Sequence, residues 1–156
     1  MEIAGLPLHP LVVHAAVVFT PLAVLAAVVF AVVPRWRYLT RWPTAALTLS
    51  ALVAVWVARV SGRSLLASRP ELAPLVRVHQ QRGTQLSLLM ILFAVVVLVG
   101  VWGLGGRSGL VDGRGARETR VAVLDKLLPA VVVVVSLVVV VWCVLTGDAG
   151  ARAIWG

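Results

Sequence analysis

The sequence predicts an all-α integral membrane protein: a four-helix transmembrane bundle, one domain over residues 1–156, with both termini on the same side of the bilayer. Three observations carry this. Of 156 residues, 61% are hydrophobic and the mean hydropathy is +1.03, whereas soluble domains run nearer about 45–50% apolar. Four apolar stretches approach or exceed the roughly 18 residues that mark a membrane crossing. The charged residues sit between these stretches, and an even number of crossings returns the chain to the side on which it started.

The first span is expected over about 11–33. Pro10 falls in its first turn, where a missing N–H costs little, and Pro34 follows its end. The second is expected over about 43–60 and the third over about 86–104, ending in the glycine cluster GLGG. The fourth, over about 127–145, opens near Pro129 and stops at Gly147. Its VVVVVSLVVVVW run would read as a strand in water, but a lone strand cannot satisfy its backbone in hydrocarbon, so helix is required. Small residues recur at every fourth position in span two (Ala46, Ser50, Ala54, Ala58, Gly62) and in span one (Ala23, Ala27, Ala31). Such stripes let helix backbones approach closely and predict a seam between helices one and two.

The formal net charge is +8, and Lys126 is the only lysine among the basic residues. Arginine in place of lysine, with much Ala and Val, suggests a GC-rich bacterial genome and hence a multi-pass protein of the bacterial inner (plasma) membrane. Because the charge lies between spans, it reads as topology information and contact with membrane lipids, anionic ones included. A nucleic-acid partner would want a basic face on a soluble fold, and none is expected. Arg35, Arg37, Arg41, Arg107, Arg114, Arg117, Arg120 and Lys126 fall opposite the termini. Arg59, Arg63, Arg69, Arg77, Arg82 and Arg152 fall on the termini side. This bias places the termini on the outer side. Trp36, Tyr38 and Trp42 form an aromatic cluster for the opposite interface, and Trp155 serves the termini side. The amino terminus lacks a positive n-region, so the first segment is expected to stay in the mature protein. One cysteine, Cys143, excludes an intramolecular disulfide and thiolate-rich metal sites and reads as a small apolar residue.

The same parity collects all three histidines. His9 and His14 open span one and His79 precedes span three, so all face the termini side. His14 lies about four residues into its span, roughly 6 Å deep at 1.5 Å per residue. His9 is five residues earlier, about 140° round a helix, so the two cannot share one face. His9 also precedes Pro10, which favours an extended, capping position. Residues 74–84 can continue span three upward as one helix, with Gly83 one turn below His79. Each histidine could simply hydrogen-bond a neighbouring helix, but an ionisable group within a span is first a functional-site candidate. Two neutral imidazoles from two helices are what six-coordinate haem b requires. His14 and His79 are the expected axial, metal-ligating pair, with His9 as alternate and Gly83 leaving room beside it. Copper or zinc would also accept imidazoles, but no thiolate set, methionine pair or carboxylate cluster reinforces them. Asp148 either orients an imidazole as a supporting carboxylate or pairs with a nearby arginine. Arg82 and Arg152 are further supporting candidates. Thr20 and Ser136 read as helix–helix contacts.

GLGGRSGLVDGRGAR, residues 103–117, lacks the Lys-Ser/Thr and the strand–helix context of a phosphate loop and reads as a flexible basic loop. No Ser-His-Asp order, HExxH or paired intramembrane carboxylates is present, so no catalytic residue is assigned and an enzyme is not expected. A proton or solute pathway would want a mid-membrane charge, which spans two to four lack.

The opening LPLHPLVVH, the HQQRG before span three and the ending TGDAGARAIWG together resemble the bacterial four-helix membrane family catalogued as domain of unknown function 2231. Members show an LHP-x-x-VH opening, a His-x-x-x-Gly element before the third helix and a TG-x-x-GA close. The resemblance covers nearly the whole chain and rests on His9, Pro10, His14, His79, Gly83, Gly147, Gly150 and Ala151. It implies a redox neighbourhood, since some members are fused to Rieske-type or other electron-transfer modules. It also marks a departure: relatives often carry histidine where this chain has Asp148, which leaves no second cofactor expected. Two functions follow as expectations. One is a haem b protein for electron transfer or redox sensing at the outer face, with a redox protein as partner. The other is a non-catalytic subunit of a larger membrane complex or a homo-oligomer, with no cofactor.

Overall fold

The computed structural model describes residues 2–3, 6–106, 113, 115–121 and 123–155. Four long helices dominate it: α1 (Leu8–Val32), α2 (Arg37–Ser68), α3 (Arg77–Gly103) and α4 (Leu124–Trp155). Each is long and apolar enough to cross a membrane. Before α1, β1 (Glu2–Ile3) pairs antiparallel with β2 (Leu6–Pro7). Short 3-10 turns at Pro34–Trp36 and Pro70–Leu72 join α1 to α2 and α2 to α3. The helices run up and down around a square, each packed on its two neighbours.

The helices are longer than the apolar runs. α2 has 32 residues, about 48 Å at 1.5 Å each, against a hydrocarbon core of about 30 Å. α3 begins at Arg77, so His79 is helical. α4 continues through Gly147 and Gly150 to Trp155; the predicted stop at Gly147 does not occur. α1 likewise starts at Leu8 and includes His9, in place of the extended position expected before Pro10. Both Pro10 and its neighbour lie in the first turn, where the lost N–H has no helical partner to forfeit.

The core is filled by Phe30, Phe93, Met90, Val97, Leu104, Val132 and Val139. Leu25, Val95, Val134 and Val144 project outward, as a lipid-facing surface demands. The seam stripe holds on α1, where Ala23, Ala27 and Ala31 are buried, but only in part on α2. Ala54 is buried there while Ala46 and Ser50 are exposed. A four-residue step gains about 40° per repeat on a 3.6-residue helix, so four steps wind off the seam. Thr44, Thr48, Ala51 and Val55 take the inward face instead. Thr20, Thr48 and Ser136 are fully buried with no hydroxyl partner among the described residues.

At the end opposite the termini, two arginines are turned inward. Arg37 is 3% exposed and Arg41 9%. Arg37 donates to the carbonyls of Phe30 (3.0 Å), Ala31 (2.9 Å) and Gly105 (2.6 Å), with Asp125 3.7 Å away. Arg41 donates to Val101 and Leu104. Both guanidinium groups stand over the Phe30 ring, at 5.7 and 5.6 Å. The last carbonyls of α1 and α3 have no helical donors and carry the negative end of the helix dipole, so a buried guanidinium suits them. Arg37 and Arg41 are therefore helix clamps, where the sequence suggested lipid headgroup contacts. Trp36 and Trp42 remain exposed.

The glycine cluster is a close-packing device where it is described. Gly106 and Arg117 exchange backbone hydrogen bonds (2.8 and 3.0 Å). A Cβ on Gly105 would strike the Arg117–Thr119 backbone, and one on Gly106 the Pro34 carbonyl. The rest of the predicted flexible loop, with Arg107 and Arg114, lies outside the described residues.

Replacing Arg37 with alanine strips donors from three carbonyls and should cost about 2–4 kcal/mol. Replacing exposed Arg35 should change stability by less than about 0.5 kcal/mol. Thermal unfolding in detergent separates the two; equal midpoints would contradict the clamp.

Candidate functional site

At the termini end, the start of α1 and α3 meets the end of α2 and α4, and two histidines stand between them. The His9 and His79 rings are 6.3 Å apart between centroids, with planes at 75°. Each is held by the helix that follows its own. His9 Nδ1 lies 3.0 Å from the Ala58 carbonyl on α2 and 3.2 Å from Ser61 Oγ. His79 Nδ1 lies 2.9 Å from the Thr146 carbonyl on α4. A carbonyl oxygen only accepts, so Nδ1 carries the proton in both neutral rings. The lone pair then sits on Nε2, which has no hydrogen-bond partner among the described residues.

A glycine one turn beyond each carbonyl makes this approach sterically feasible. A Cβ on Gly62 would lie 3.0 Å from His9 Cε1, and one on Gly150 2.9 Å from His79 Nδ1. The two halves of the molecule thus repeat one unit: imidazole, carbonyl at position n, glycine at n+4. No residue run flags the repeat, because only three positions recur, and they are about 50 to 70 residues apart in each half. Gly150 was marked by the family resemblance and Gly62 by the small-residue stripe; neither pointed to a ring contact.

The structure brings His79 to His9 and leaves His14 apart. His14 is exposed on the outer face of α1, and its Nδ1 donates to the Pro10 carbonyl of its own helix at 2.6 Å. Five residues separate the two histidines of α1, and that rotation alone turns one inward and the other outward. The axial pair expected from sequence is therefore not juxtaposed, whereas the alternate member, His9, is. Asp148 reaches no imidazole. It accepts from Arg152 Nε at 3.0 Å and lies 4.0 Å from Arg82. Arg82 also donates to the Leu145 carbonyl at 2.7 Å. Arg82 and Arg152 thus bind groups of α4, and the Thr146 carbonyl, in place of a carboxylate, orients His79.

Between the four helix ends lies a cavity of 310 Å³, apolar over most of its wall. His9, Val13, Gly62, His79, Gly83 and Gly147 line it, with Cys143 deeper in and Arg59 and Arg63 on the α2 side. Gly83 has only Thr146 Cγ2 near a would-be Cβ, at 3.9 Å, and Gly147 has nothing within 4 Å. Both glycines line the cavity wall. Among the described residues, no three His, Cys, Asp or Glu side chains come together. A bare divalent ion here would find two imidazoles, against the four ligands that a closed zinc site uses. A metal that brings its own equatorial donors needs only those two.

Gly62→Ala and Gly150→Ala push a Cβ into an imidazole and should destabilise the protein by about 1–3 kcal/mol. Gly147→Ala meets open space and should be neutral or stabilising by up to about 1 kcal/mol. Unfolding in detergent tests the contrast, and a Gly150→Ala variant as stable as Gly147→Ala would refute the ring contact.

No family model, curated protein or solved structure matches this chain.

Proposed function

We propose that this is a bacterial inner-membrane protein that binds haem b between His9 and His79 near the outer face and serves electron transfer or redox sensing. The observation that carries the reading is the paired imidazoles. Each has Nδ1–H committed to a backbone carbonyl, which fixes the tautomer and the ring orientation and leaves Nε2 as the ligating atom. His9 and His79, with ring centroids 6.3 Å apart, would hold the haem iron through these Nε2 atoms. Haem, when bound, supplies an iron that accepts and returns one electron. The chain would supply two imidazoles, a largely apolar wall and, along it, the glycines Gly83 and Gly147. His14 has no part in ligation under this proposal.

A second reading has its own observation. Both Nδ1–H bonds are complete without a ligand, so the histidines can act as interhelical ties in a non-catalytic subunit of a larger membrane complex. Under that reading the protein co-purifies with a stable partner and no cofactor.

Protein expressed with adequate haem should show a Soret band with a six-coordinate, low-spin spectrum. His9→Ala and His79→Ala should each abolish or shift it, and His14→Ala should leave it unchanged. Absence of the band, or a spectrum indifferent to His9 and His79, would remove the haem reading.

A further inference from the structure

Two arginines beside the cavity have no balancing carboxylate among the described residues. Arg59 lies within the membrane-crossing part of α2 and lines the cavity. One of its Nη atoms donates to Ser87 Oγ at 2.9 Å, and its guanidinium stands 5.0 Å from the centroid of the Trp56 ring. Its Nε is buried with no partner. Arg63, one turn further along, is exposed and lines the rim of the cavity. Among the described residues neither arginine has a carboxylate within 4.0 Å, since Asp148 is taken by Arg152 and Arg82.

An unpaired guanidinium in an apolar setting is costly. Arg37, buried where Arg59 is half-buried, has three carbonyls and a nearby carboxylate. Arg59 has one hydroxyl and an aromatic face, with donors to spare beside the cavity. A guanidinium matches a carboxylate in both geometry and charge.

We propose that Arg59 and Arg63 bind the carboxylates of the ligand held between His9 and His79, so that the site selects a flat apolar ring bearing acid groups over its neutral ester. The proposal rests on the haem reading and assigns these two arginines to the haem propionates. Electron density drawn toward the guanidinium groups would also raise the reduction potential relative to a variant without them.

The test uses the full chain, freed of haem and reconstituted in phosphatidylcholine nanodiscs, titrated with ferric haem b and with its dimethyl ester. The wild type should bind haem about 10- to 100-fold more tightly than the ester, the range for charge-assisted hydrogen bonds. Arg59→Gln combined with Arg63→Gln should lose that preference, with ester affinity unchanged; Arg59→Lys should keep part of it. Equal wild-type affinities for haem and ester would overturn the arginine assignment while leaving the histidine site standing. A double variant that keeps the full preference would overturn it as well. If that variant fails to fold, the wild-type comparison decides alone. Binding of neither compound by the wild type would remove the haem reading and this proposal together.

Discussion

An imidazole N–H donated to a backbone carbonyl, beside a glycine that lets the ring approach, is the contact around which the functional end of this protein is organised. In an apolar interior each N–H and each lone pair must be accounted for. The Ala58 and Thr146 carbonyls account for the N–H groups of His9 and His79. That commitment fixes the tautomers, and the tautomers leave Nε2 free. The same two contacts tie α1 to α2 and α3 to α4. Packing between helices in lipid has little hydrophobic driving force, so polar ties of this kind set the register.

The opposite end is tied by different chemistry to the same purpose. Arg37 and Arg41 gather the final carbonyls of α1 and α3 and stand over Phe30. The bundle is thus pinned by imidazoles where α1 and α3 begin and by guanidinium groups where they end. Between the pins the contacts are Ala, Val, Phe and Met packing, which is adaptable and carries little positional information. Cofactor chemistry, if it is to be reproducible, belongs at a pinned end.

Arginine has three uses in this one chain. Arg37 and Arg41 donate to carbonyls; Arg82 and Arg152 share Asp148; Arg59 and Arg63 line a cavity with no carboxylate within 4.0 Å of them among the described residues. Composition treats them alike as positive residues flanking spans. Their partners separate them, and the third group has no carboxylate partner among the described residues.

By itself the sequence determined the class of fold. Sustained apolar runs of membrane length permit only helices, and the even count of four gathers His9, His79 and the carboxyl-terminal glycines at one end. His14 shows where that reasoning stops. Its position in an apolar span is as suggestive as that of His9, yet rotation about the helix axis turns it outward, and the phase of a helix apolar on every side is not legible from composition. Gly62 and Gly150 were likewise visible only as small residues, because a ring contact depends on which neighbour faces them across the seam. Tertiary structure alone decided which two imidazoles meet, which arginines are satisfied and which are not, since each answer depends on side chains brought together from helices dozens of residues apart.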